Sequence, residues 1–158
     1  MTTNDLKQSD YKALADFRYQ IRLFLRFSEL AARAAGVEPQ QHQLMLALKG
    51  AGGRNGCRIG DLAERLQIQH HSAVELTSRL EEKQLIQRSR SDKDRREVYV
   101  HLTPRGERLL RELTLYHRDE LRSAGPALVA ALRRAMGRAQ SNPRRKSSDV
   151  SFAGRIRP

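Results

Sequence analysis

His70, His71, Ser72, Glu75 and Ser78 are short polar or ring-bearing residues set at helical spacing. Donors and acceptors of this kind can meet base edges in a major groove. Farther on, Arg88, Arg90, Lys93, Asp94, Arg95 and Arg96 gather charge around the run Ser91-Asp92-Lys93-Asp94. Ser and Asp side chains bond their own backbone, so that run is turn chemistry and would project Lys93, Arg95 and Arg96 away from the body. Cations on a projecting loop suit phosphates and the narrow, strongly negative minor groove of A·T-rich DNA. A merely solvated charged turn is the plain alternative.

Other chemistry finds less support. His70 and His71 are adjacent, so on a helix they point about 100° apart, and no Cys or carboxylate cluster joins them. No metal site is expected. Cys57 beside Arg58 could be an activated thiol, but a quiet, partly buried thiol is the preferred reading. No Ser/His/Asp order, phosphate-binding glycine loop or paired carboxylates occur in a plausible context. Neither an enzyme nor a cofactor is expected.

The elements that must position these residues follow from periodicity. Leu62, Ala63 and Leu66 form the stripe of a short helix, with Ile68 as a buried pin after it. Gln69-His70-His71-Ser72 marks a turn, and Ala73, Leu76 and Leu80 give a second helix its inner face. Two helices joined so tightly form a helix-turn-helix, the second leading into a groove by its N-terminus. Val98, Val100 and Leu102 then alternate with Glu97, Tyr99 and His101, a half-buried strand.

These pieces resemble the MarR family of winged-helix transcriptional regulators. The resemblance rests on Leu62-Ala63, Arg79-Leu80-Glu81, Leu85-Ile86, Arg88, and above all Asp94-Arg95-Arg96 followed by Leu102-Thr103 and Gly106, and spans roughly residues 10–137. It implies a mainly α fold with a small β-wing: a winged helix-turn-helix with N- and C-terminal dimerisation helices. It further implies that Arg96 enters a minor groove braced by Asp94, while Arg95 lies along a phosphate. The family usually has Gly after the recognition helix where this chain has Gln84. Gln84 must therefore take a left-handed C-cap, or the helix must end differently. The family's peroxide sensors carry a Cys on the first helix, where this chain has none.

The implied function is sequence-specific DNA binding by a homodimer on a pseudo-palindromic operator. The regulator would be a repressor released by a small anionic or phenolic effector, with Arg18, Arg22 and His42 lining the effector cleft. A DNA-organising protein without effector is the alternative, and a protein-interaction module a third. The intact Asp94-Arg95-Arg96 speaks against the last.

Length and composition agree with one domain. The chain has 158 residues and a formal charge of +12, an excess that attracts polyanions, nucleic acid first and a membrane surface second. It has no apolar run long enough to span a membrane and no apolar secretion core at its start, and its one Cys fits a reducing cytosol; a cytoplasmic location is expected. Residues 1–10 read as a disordered N-terminus and 11–137 as the domain. Within it, 37–103 is the DNA-binding lobe, and 11–35 and 104–137 are dimerisation helices. A helix begins after Glu38-Pro39, its inner face Leu44, Met45 and Leu48, and ends at Lys49-Gly50 before a flexible loop. Cys57-Arg58-Ile59 reads as a short strand. Thr103-Pro104 starts another helix, and Gly125-Pro126 is expected to break it, leaving a last helix from Ala127 to Met136. Residues 138–158 carry Arg138, Arg144, Arg145, Lys146, Arg155 and Arg157 against Asp149, a net +5, and read as a disordered basic tail.

Overall fold

The computed structural model describes residues 5–51, 56–91, 94 and 97–137. Lys93, Arg95, Arg96, the glycine loop at 52–55 and the basic tail lie outside them. In order the elements are α1 (Gln8–Ala34), α2 (Pro39–Ala51), β1 (Cys57–Arg58), α3 (Ile59–Leu66), α4 (His70–Glu82), β2 (Ile86–Arg90), β3 (Val98–Leu102) and α5 (Pro104–Ala135). The strands form one antiparallel sheet in the order β1-β3-β2. Cys57 faces Val100, and Ile86 faces Leu102.

One core joins the lobe to the long helices. Leu44, Met45 and Leu48 of α2 meet Leu62 of α3, Leu76 and Leu80 of α4, Ile86 and Val100 of the sheet, and Leu110 and Leu113 of α5. A Leu buried this fully contributes about 1.5–3 kcal/mol. Leu62, Leu66 and Ile68 grade from buried to half-buried, so Ile68 leans on the core instead of plugging it.

Several boundaries differ from the sequence expectation. α1 starts at Gln8, so residues 8–10 belong to the domain; the Asp10 carboxylate accepts the Lys7 backbone N–H at 2.8 Å and caps the first turn. α2 continues to Ala51. Ile59 opens α3 instead of extending β1. The larger correction is α5: Gly125-Pro126 does not break it, and one helix of 32 residues runs from Pro104 to Ala135. Pro126 removes one i→i−4 bond and crowds a carbonyl. Gly125, however, has no Cβ to clash with the proline ring, which eases the usual objection to a helical residue there. Packing supplies the rest. α5 lies along α1, with Gln20, Leu23 and Phe24 of α1 and Leu121, Gly125 and Leu128 of α5 lining one groove beside the proline, and Ala131 beyond it is fully buried.

Helix ends explain the tight turns. α1 closes through Gly36 at φ 82, α3 through Gln67 at φ 54, and α4 through Gln84 at φ 57. After α4, Gln84 N–H reaches Glu81 O at 2.8 Å and Leu85 N–H reaches Leu80 O at 3.0 Å. That is the Schellman pair of bonds, with Leu80 and Leu85 both buried beneath it. Gln84 thus does take the left-handed conformation, at a cost of roughly 1–2 kcal/mol.

The start of α5 is welded to the same turn. Thr103 Oγ1 donates to Gln84 O at 2.7 Å and accepts Gly106 N–H at 3.0 Å, while Thr103 N–H donates to Leu85 O at 3.0 Å. A Cβ on Gly106 would lie 1.9 Å from Leu85 O, so only glycine fits that crossing.

Candidate nucleic-acid interface

α4 is built to show one edge. Ala73, Leu76, Thr77 and Leu80 are buried, and the Thr77 hydroxyl donates to Ala73 O at 2.7 Å, so this face asks nothing of solvent. On the other side His70, His71 and Glu75 are exposed, while Ser72 and Ser78 are half-buried. The helix starts after Gln69 with no side-chain cap, so its first N–H groups open outward toward any anion.

Not every expected contact residue is equally available. Glu75 pairs with Arg79 one turn on, an exposed pair that stabilises by well under 1 kcal/mol and can exchange for another partner. Arg79 is absent from the contact residues expected from sequence, although its i,i+4 spacing from Glu75 is readable there. Ser78 Oγ donates to Val74 O at 3.0 Å and accepts Arg88 Nη2 at 2.9 Å. Arg88 Nη1 reaches Glu81 Oε2 at 2.8 Å, and the Arg88 backbone N–H reaches Glu81 Oε1 at 3.2 Å. Ser78 and Arg88 therefore bond each other and the helix. Arg90 is exposed at the end of β2.

The described base of the turn is a closed hairpin mouth. Ser91 N–H donates to Glu97 O and Glu97 N–H to Asp94 O, both at 3.0 Å, and Asp94 N–H reaches Ser91 Oγ at 3.3 Å. Below it, Tyr99 OH donates to Glu97 Oε2 at 3.1 Å, which raises the Tyr99 phenol above its usual range. Arg58 spans Asp61 at 3.2 Å and Glu97 at 3.8 Å, tying the hairpin to the start of α3.

Of the three residues expected to line an effector cleft, His42 is buried at 2% exposure, while Arg18 and Arg22 point to solvent on α1. The His42 ring lies 4.8 Å from His117 of α5. His117 in turn bonds Ser28 Oγ at 2.8 Å and Leu113 O at 2.6 Å. Leu113 O can only accept, so Nδ1 of His117 donates to it. Arg22 and Arg18 precede Ser28 by roughly 9 and 15 Å along the helix at ~1.5 Å per residue. Among the described residues Nδ1 of His42 has no hydrogen-bond partner, and burial, then the neighbouring His117, lowers its pKa to about 4. Position 117, unremarkable in the sequence, is what gives His42 its setting.

Cys57 is buried with its thiol toward Leu48 O at 3.9 Å. Burial and Asp61 push its pKa up against a weaker pull from Arg65. That is the quiet thiol expected. Among the described residues, no helix is long and apolar enough to cross a membrane.

Known proteins share this arrangement. A model of the MarR family matches residues 35–97, from the end of α1 into the hairpin. The chain is 28% identical over 92 residues to YsmB of Bacillus subtilis (strain 168), an uncharacterized HTH-type transcriptional regulator, covering 56% of this chain and 63% of that protein. It is 33% identical over 72 residues to the HTH-type transcriptional repressor MdtR of the same organism, covering 46% of this chain and 44% of MdtR. The chain thus spans about half to two-thirds of the length of these relatives. Among solved structures, AbsC of Streptomyces coelicolor, a MarR family transcriptional regulator, superposes with a TM-score of 0.66 at 21% identity, covering 77% of this chain and 82% of AbsC. MepR of Staphylococcus aureus, in complex with DNA, superposes with a TM-score of 0.60 at 22% identity, covering 82% of this chain and 87% of MepR. At these identities the superpositions establish the fold.

Proposed function

Since this chain belongs to the MarR family, we propose that it is a cytoplasmic transcription regulator that binds double-stranded DNA as a homodimer. The observation that carries this reading is the outward polar edge of α4, with His70, His71 and Glu75 exposed beside a three-stranded hairpin sheet. In each subunit α4 enters a major groove, and the wing bearing Arg90, Lys93, Asp94, Arg95 and Arg96 reaches the flanking minor groove. Ser72, half-buried in the first turn of α4, joins that contact. Two-fold symmetry then sets two half-sites about one helical turn apart on a pseudo-palindrome.

The dimer forms through α1 and α5. Tyr11, Leu14 and Leu23 on α1, Leu121, Val129 and Leu132 on α5, and Met136 just after it are large apolar residues left exposed on the isolated chain. Apolar surface of this extent marks an association site. Repression, relieved when a small anionic or phenolic molecule alters the spacing of the two α4 helices, is the regulatory form we favour. The formal charge of +12 supports a second reading, a DNA-organising protein that needs no effector.

The wing arginines test the contact model by mobility shift across a salt series. Arg96→Ala should weaken binding to the preferred site by about 1–3 kcal/mol and relax its sequence preference. Arg95→Ala should weaken all sequences alike and lower the log–log salt slope by about one. Equal, sequence-blind losses from both would remove groove readout from Arg96.

A further inference from the structure

We propose that Arg88 acts in DNA binding as a positioning residue: with Glu81 and Ser78 it clamps the wing to the recognition helix and so sets the angle between the two DNA-reading parts. The inference rests on the DNA-binding reading above and deepens it. Among the described residues, every side-chain hydrogen bond joining α4 to β2 runs through Arg88. Its guanidinium takes Glu81 Oε2 at 2.8 Å and Ser78 Oγ at 2.9 Å, and its backbone N–H takes Glu81 Oε1 at 3.2 Å. Both carboxylate oxygens of Glu81 are thereby engaged by one residue.

The direction of Arg88 matters as much as its bonds. With 30% of its side chain exposed, the fork is turned back onto α4, whereas Arg90, two residues on, lies exposed. A guanidinium holding two acceptors at once uses its fixed geometry; a lysine ammonium is a point donor and cannot reproduce the fork. Bonds of this charge-assisted kind are stronger than neutral ones.

Without the clamp, the outer end of β2 is held by the Lys83-Gln84-Leu85 turn and by its pairing with β3, which Arg58 ties to α3 through Glu97. Helix and wing must meet neighbouring grooves together, so a loose hairpin pays its ordering cost on binding. The expected loss is about tenfold in affinity.

The full chain and three variants, Arg88→Ala, Arg88→Lys and Glu81→Gln, decide the matter on the DNA the wild type selects. The clamp predicts that all three lose about tenfold, and that Arg88→Ala with Glu81→Gln loses no more than Arg88→Ala alone. It also predicts that minor-groove protection beside each half-site fades while major-groove protection inside it persists. A purely structural defect would lose both together. Full affinity in Arg88→Lys with a neutral Glu81→Gln would make Arg88 a phosphate contact and overturn the proposal.

Amide hydrogen exchange without DNA tests the clamp independently. In Arg88→Ala and Glu81→Gln, exchange should quicken in β2 and β3 and stay unchanged in α2 and α4. Unchanged hairpin exchange refutes the clamp, whether or not the chain binds DNA. Quickened exchange in a chain that binds no DNA would keep the clamp and discard only the functional reading.

Discussion

Val129→Asp combined with Leu132→Asp yields a folded monomer that has lost its operator. These side chains sit three residues apart on α5, and 45% and 39% of their surfaces face solvent in the isolated chain. Charges there cost the protomer little. In the proposed interface they would sit desolvated against apolar partners, at several kcal/mol for the pair. Sedimentation should shift from dimer to monomer while the helical circular dichroism signal stays. Operator affinity should fall by more than tenfold, because a monomer holds one half-site. Leu128 is the poorer probe, since it is half-buried and lines an intrachain groove with Leu23 and Phe24 of α1. A dimer that persists in the double variant with DNA binding intact would place the interface elsewhere.

The second large effect is a loss of stability in acid that traces to one ring. His42 is held at about 4 by burial first and by His117 second, and its usual value is 6.5. Below pH 6.5 the unfolded chain takes up a proton that the folded chain refuses. Stability from this group is therefore complete above about 6.5 and declines as pH falls toward 4, where the folded chain also titrates. The full difference is about 3 kcal/mol. Denaturant unfolding at a series of pH values should show it as the difference between wild type and His42→Phe, since the carboxylates titrate equally in both. Parallel stability curves for the two proteins between pH 6.5 and 4 would show that His42 is charged as readily in the fold as outside it.

His42 also shows where reading the residues in order falls short. Its place on the inner side of a helix is periodic and legible, but its partner lies in α5, 75 residues away in sequence. Nothing local distinguishes a histidine over another histidine from one lining a cleft. The strand of Val98, Val100 and Leu102 and the Thr103–Gly106 start of α5 are legible because alternation and capping are local signals. Left-handed helix ends are legible at Gly36 and, through the family pattern, at Gln84, but not at Gln67, whose residue type carries no such signal. Pro126 misleads for the opposite reason: a local breaker is overridden by the contact of the whole of α5 with α1, which the sequence order does not display. Arg88 is the instructive case at the candidate site. Its charge is visible beside Arg90, yet only the fold shows it turned back onto Glu81 and Ser78.

The DNA selected by the purified full chain tests the central claim most directly. Random duplexes should be bound at about 0.15 M salt, recovered and sequenced through several rounds, since at low salt the net positive charge would hold any polyanion. The proposed function predicts enrichment of one pseudo-palindrome whose half-site centres stand about one helical turn, roughly 10 base pairs, apart. It also predicts that this duplex outcompetes random DNA by about a thousandfold or more. A bound pool that sequences like the input, with no motif and no competition, would contradict it.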